Sequence, residues 1–183
     1  MRRANACSRR GYAGTTLEAI AEEAGVSPKT VVAAFGSKRG ILAEVLNPAA
    51  LGSPYQEALA QLRGESDPYR RVALVAHLTR HVYETLSGEL DLLRGVGAVA
   101  SELADIAQTI AERRWHHQER LVEFFQERGV LRAGLSRAEA TDTLWALTSF
   151  DLYRMLVIQR GWAPEHYETW LTVVITGQIV AAR

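Results

Sequence analysis

Cys7 is the only cysteine in this 183-residue chain. No internal disulfide can form, and nothing points to an oxidising compartment. Long hydrophobic runs are missing too. The richest, Leu144 to Ile158, is interrupted by Asp151 and Arg154 and falls short of the roughly 20 apolar residues a membrane span requires. No secretory pattern follows Met1, so a cytoplasmic protein without a membrane partner is expected. Catalytic signatures are equally scarce. There is no glycine-rich phosphate loop, Cys7 has no histidine beside it in sequence, and Glu22-Glu23 reads as a solvated helix face. No catalytic residue, metal site or cofactor is assigned, and an enzyme is not expected.

Hydrophobic residues make up 48% and charged residues 23%, the balance of a soluble globular protein. Apolar residues recur at helical spacing from end to end and strand-type alternation is absent, so the fold is expected to be all-α. Breaks at Gly11 to Gly14, Gly25-Val26-Ser27, Gly36-Ser37, Asn47 to Pro54, Gly64 to Pro68, Ser87-Gly88, Gly129 to Ser136 and Gly161 to Pro164 divide it into about nine helices. Thr15-Thr16-Leu17-Glu18 has the form of a capping box with Thr15 as the cap. Ser27 before Pro28 is a cap followed by proline at the first helical position.

The 21 basic and 21 acidic residues cancel, but unevenly. Residues 1 to 50 hold seven Lys/Arg against four Asp/Glu, a surplus of three that the remainder reverses. Both lysines, Lys29 and Lys38, fall in this basic head. They sit within a segment whose pattern is that of a helix-turn-helix. Leu17, Ile20, Ala21 and Ala24 share one face of a first helix, Gly25 supplies the turn, and Val26 plugs the corner. Val31, Ala34 and Phe35 form the inward face of a second helix. That leaves Lys29, Val32, Ala33 and Gly36 on its outer stripe, with Pro28 and Thr30 at its start, as the face offered to a DNA major groove. Lys38 opens the next helix, where an ammonium beside backbone amides suits a phosphate. A helical hairpin that merely packs is the plainer reading of the same pattern.

Gly11-Tyr12-Ala13-Gly14-Thr15-Thr16-Leu17, Ile20-Ala21, Ala24-Gly25-Val26-Ser27, Thr30-Val31, Phe35, Ser37-Lys38 and Ile41-Leu42 together resemble the DNA-binding domain of the TetR-type transcriptional regulators. The resemblance implies a three-helix helix-turn-helix domain at about 1–46 and a larger helical ligand-binding and dimerisation domain at about 54–183. It makes Thr16 and Lys38 phosphate contacts and puts Ser27, Pro28, Lys29, Thr30, Val32 and Ala33 at the DNA. The implied partners are a double-stranded operator, a small-molecule effector and a second copy of the chain. Val32 stands where members usually carry an aromatic residue, Ala34 where histidine is frequent, and Met1 to Arg10 where they have a longer first helix.

In the body, Leu144 to Ile158 has eleven apolar residues in fifteen, and Trp170 to Ala182 is similarly rich, more than one buried stripe needs. Two such helices suggest a four-helix interface between two copies, built on Trp145, Leu152, Leu156, Trp170 and Val174; a thick monomer core is the alternative. Helices expected near 69–87, 89–99 and 102–128 carry His77, His81 and Trp115, which suit orienting contacts to an apolar ligand. His77 and His81 share a helix face, but metal binding needs three or four converging ligands, and a bland histidine pair is the simpler reading. The alternative function is a helical small-molecule-binding or catalytic protein whose helix-turn-helix no longer reads DNA.

Overall fold

The computed structural model describes residues 14–47, 51–96 and 101–181. Cys7, the Gly11-Tyr12-Ala13 motif and the expected first helix lie outside the described residues. Nine α-helices are present among the described residues: α1 (Leu17–Ala24), α2 (Pro28–Phe35), α3 (Lys38–Val45), α4 (Gly52–Gly64), α5 (Pro68–Val96), α6 (Ser101–Glu127), α7 (Arg137–Leu147), α8 (Phe150–Tyr153) and α9 (Pro164–Ile179). A π-helical turn, Arg154–Gln159, continues α8. The all-α expectation holds.

Contacts group the chain into two compact units. The first takes residues up to 50 together with 86–109, and the second takes 51–85 and 110–183. Neither is one continuous stretch, because α5 and α6 each contribute to both. Helix α5 is two helices joined across a kink: it departs from helical geometry at the buried Leu86 (φ −112°, ψ 15°), beside the expected break at Ser87-Gly88, and then runs on to Val96.

In the first unit α1 packs on α2 and α2 on α3, and Ile20, Ala21, Val31, Leu42 and Leu46 are buried. Ala21 and Thr15 are almost wholly buried. In the second unit the core follows α9, where Tyr167, Leu171, Ile175 and Ile179 recur every fourth residue and are fully buried. Helix α9 packs on α7 and on the π-helical turn. Its end is pinned by an antiparallel bridge between Leu131 and Val180, with the Arg132 amide donating to Ile179 (2.9 Å) and the Ala181 amide to Val130 (2.8 Å).

The apolar stretch Leu144 to Ile158 is not one helix. Helix α7 ends at Leu147, Thr148 leaves helical geometry, and the Ser149 hydroxyl accepts the Leu152 amide to start α8. The physical reason is tertiary. The Tyr83 hydroxyl donates to the Thr148 carbonyl (2.5 Å) and Arg114 Nη1 to the Trp145 carbonyl (2.5 Å), satisfying acceptors that a helix end would otherwise leave open.

Candidate functional site

Three short helices build the head, and each start is fixed by a hydroxyl. The cap of α1 is Thr16, whose Oγ1 accepts the Ala19 amide at 3.2 Å. The expected box was therefore one residue out of register: Thr15 is buried instead. Ser27 Oγ accepts the Thr30 amide at 3.1 Å and lies 2.8 Å from Thr30 Oγ1. Ser37 Oγ accepts the Gly40 amide at 3.1 Å. Between α1 and α2, Gly25 takes the left-handed conformation (φ 68°) and the Val26 amide returns to the Ala21 carbonyl at 3.0 Å, a helix stop that a side chain at residue 25 would resist. Val26 does not plug the corner, for it is 40% exposed.

Pro28, Lys29, Thr30, Val32 and Ala33 are all exposed on α2, as are its cap Ser27 and the α1 cap Thr16. Val31 alone among the helix's residues is buried, and Phe35 is half-buried. Ala34, expected inward, is exposed as well. Residues 31 and 35 are four apart and suffice for the inner edge of an eight-residue helix, whereas 34 falls beside 30. Lys38 is half-buried at the first position of α3, and Arg39 next to it pairs with Asp105 of α6 at 3.4 Å. The head thus presents a largely uncovered helix face bearing one ammonium.

The expected ligand residues of the body do not share a partner. His77 Nδ1 lies 3.3 Å from both carboxylate oxygens of Glu168, which also accepts from Arg80 Nε at 2.5 Å. His81 stacks on Tyr55 at 6.5 Å between ring centroids, and Trp115 meets His116 edge-on at 5.5 Å. Among the described residues no three His, Cys, Asp or Glu side chains lie together as a metal site would require.

The domain model of the bacterial regulatory proteins of the tetR family matches residues 4–45. The likeness to that family is thus carried in sequence by the head. No curated protein matches the sequence. Solved structures of the family's fold do match it, over nearly the whole chain. A transcriptional regulator of Saccharomonospora viridis in complex with choline shares 22% identity, with 99% of this chain and 95% of that one covered at a TM-score of 0.76. FadR of Bacillus subtilis, a transcriptional regulator in complex with stearoyl-CoA, shares 15% over 97% and 96% at 0.73. NalD, the secondary repressor of the MexAB-OprM multidrug efflux pump in Pseudomonas aeruginosa, shares 21% over 98% and 93% at 0.73. At these identities the likeness establishes a TetR fold for the body as well as the head.

Sequence reasoning missed a polar and aromatic group inside the body. Besides the Tyr83 hydroxyl, Thr148 receives a hydrogen bond on its Oγ1 from Gln118 Nε2 at 3.0 Å, and Arg114 lies over the Trp145 ring at 4.6 Å. The Tyr83 ring is 5.4 Å from Phe150 and 5.6 Å from Tyr153, which meets Tyr167 edge-on at 5.1 Å. Burial pushes the Tyr83 phenol up to about 12, with the Arg114 charge opposing it, and raises Tyr167 in the same direction. The Tyr167 hydroxyl is buried without a hydrogen-bond partner. Contacts between such distant positions carry no local sequence signal.

The expected interface residues divide by exposure. Trp145 is 37% exposed, while Leu152, Leu156, Trp170 and Val174 are half-buried. The most uncovered apolar side chains of the body are others: Val173 at 66%, Met155 at 48% and Ile158 at 47%. Helix α9 therefore buries one stripe and leaves Trp170, Val173 and Val174 on its remaining surface. The excess of apolar residues pointed to such a surface; choosing its members required the helix phase.

Proposed function

We propose that the chain is a homodimeric, ligand-responsive transcriptional regulator that acts in the cytoplasm as a repressor and leaves its operator when a small apolar molecule binds. The observation that carries this reading is the family's DNA-binding domain, folded as a helix-turn-helix whose second helix keeps its outer face uncovered. Residues 1–46 are the reading head. Lys29, Val32 and Ala33, with Ser27, Pro28 and Thr30 at the helix start, meet the groove, and Thr16 and Lys38 meet phosphates.

The body, about 54–183, serves dimerisation and sensing and performs no catalysis. Trp145, Leu152, Leu156, Trp170 and Val174 join Val173, Met155 and Ile158 at the interface between copies, since so much exposed apolar surface on a small domain calls for cover. His77, His81 and Trp115 are proposed effector contacts, and the unpartnered Tyr167 hydroxyl is a further donor for one polar group on the ligand. Choline and stearoyl-CoA in two structural relatives, and the repressor role of a third, support a sensing repressor of this kind.

Val32 and Ala34, both exposed and both without hydrogen-bonding groups, favour the second reading, a ligand-binding protein whose head no longer reads DNA. Reciprocity separates the two. Ligands found by thermal shift must weaken the affinity for a selected duplex by the same factor by which the duplex weakens the ligand, typically 5–150-fold. A ligand that raises the melting temperature and leaves DNA affinity unchanged removes the sensor from the proposal.

A further inference from the structure

The outer face of α2 is unusual in what it offers a base pair. Sequence-specific contacts in the major groove are most often made by arginine, lysine, asparagine, glutamine or a carboxylate, each matching the donors and acceptors of one base. Of these only one lysine, Lys29, occurs in α2. Lys29, Val32 and Ala33 stand at i, i+3 and i+4 and so form one exposed row, and Thr30 with Ala34 forms a second row beside it. Across both rows there is one ammonium and one hydroxyl.

The hydroxyl is already engaged. Thr30 Oγ1 lies 2.8 Å from Ser27 Oγ, which in turn accepts the Thr30 amide, so the two polar side chains at the helix start hold each other. What remains facing outward is methyl: the two of Val32, which is 47% exposed, and those of Ala33 and Ala34. In the major groove one base alone offers an apolar group, the C5-methyl of thymine, and apolar side chains are its natural counterpart. Beyond the helix, Lys38 is assigned to a phosphate and Arg39 pairs with Asp105 at 3.4 Å.

From this composition and geometry we infer that the head reads its operator chiefly through thymine methyl groups packed against Val32 and Ala33, with Lys29 the sole side chain of α2 suited to a guanine edge. The inference rests on the DNA-binding reading above and names the chemistry of its site. Each half-site then contains thymines opposite residues 32 and 33, and their recognition is hydrophobic. Removing one buried methyl group weakens binding about fourfold.

The test uses uracil, which keeps every hydrogen-bonding edge of thymine and lacks only the methyl. A duplex selected from a random library with the full chain is resynthesised with uracil at one thymine at a time, and affinity is measured at fixed salt. The expected result is a loss of about fourfold at the positions facing residues 32 and 33 and none elsewhere. With Val32→Ser the loss at the position opposite residue 32 disappears, while the other remains; since Val32 is exposed, this variant leaves the fold undisturbed. If a sequence is selected and bound but uracil is harmless throughout the half-site, methyl readout is overturned and the DNA-binding reading stands. Failure of the selection to enrich any sequence overturns both.

Discussion

Gly40 lies directly against the main-chain carbonyl of Phe35, so closely that a β-carbon at residue 40 would overlap the carbonyl oxygen. That oxygen also accepts the Ser37 amide at 2.8 Å, which leaves it little room to turn aside. The consequence is a tight passage from α2 to α3, one that glycine alone permits. Gly40→Ala should therefore destabilise the head by about 1–3 kcal/mol, as overpacking does. Gly64→Ala, where a β-carbon meets nothing, should be neutral or stabilise by up to about 1 kcal/mol. Urea unfolding followed by circular dichroism compares them, and equal effects would refute the role given to Gly40.

Much of the head was legible because its signals are local. Gly25, Ser27-Pro28 and the spacing of Ile20, Ala21 and Val31 each act within a turn or two of chain, and each has the structure expected of it. The cap at Thr16 rather than Thr15 shows the limit, for two adjacent threonines offer the same chemistry and burial of one decides between them. The body was less legible. The end of α7 depends on Tyr83, Arg114 and Gln118, which come from 30 to 65 residues away. By contrast the kink of α5 at Leu86 falls beside Ser87-Gly88, where the sequence already marked a break.

Alkaline pH probes the Tyr83 environment. Its phenol ionises at about 12 in the folded chain against an ordinary 10.0, so the folded state keeps a proton that the unfolded state has lost. The associated stability is complete below pH 10 and declines as pH rises towards 12, by roughly 2–3 kcal/mol. Tyr167, Tyr55 and Tyr153 are shifted the same way and add to the slope. In Tyr83→Phe the fall of unfolding free energy over this range should be shallower. An unchanged slope would mean that Tyr83 ionises freely.

Assembly is tested most cleanly at Val173, which is 66% exposed and contributes little to its own subunit's core. Val173→Glu should leave the helical spectrum and single-chain fold intact while separating the dimer. Sedimentation of the wild type and variant at micromolar concentration supplies the measurement. A monomeric wild type would remove the interface altogether, and a dimeric variant would move it away from α9.

Lys29 and Lys38 are assigned different tasks. Lys29→Ala should relax selectivity at one guanine position by about 1–3 kcal/mol, whereas Lys38→Ala should weaken all sequences alike and reduce the salt slope by about one. Competition against a panel of single-base operator variants resolves the two patterns. Equal, sequence-independent losses in both variants would reverse the assignment of Lys29.

The most direct test of the whole account is the affinity of the full chain for a selected duplex and for unrelated DNA of the same length, followed by fluorescence anisotropy across a salt series. A reader of DNA sequence predicts a preference on the order of a thousandfold or more for the selected duplex and a log–log salt slope of about −0.9 for each phosphate contacted. Binding of equal strength to both duplexes, or none at low salt, would contradict the assignment of a sequence-reading head.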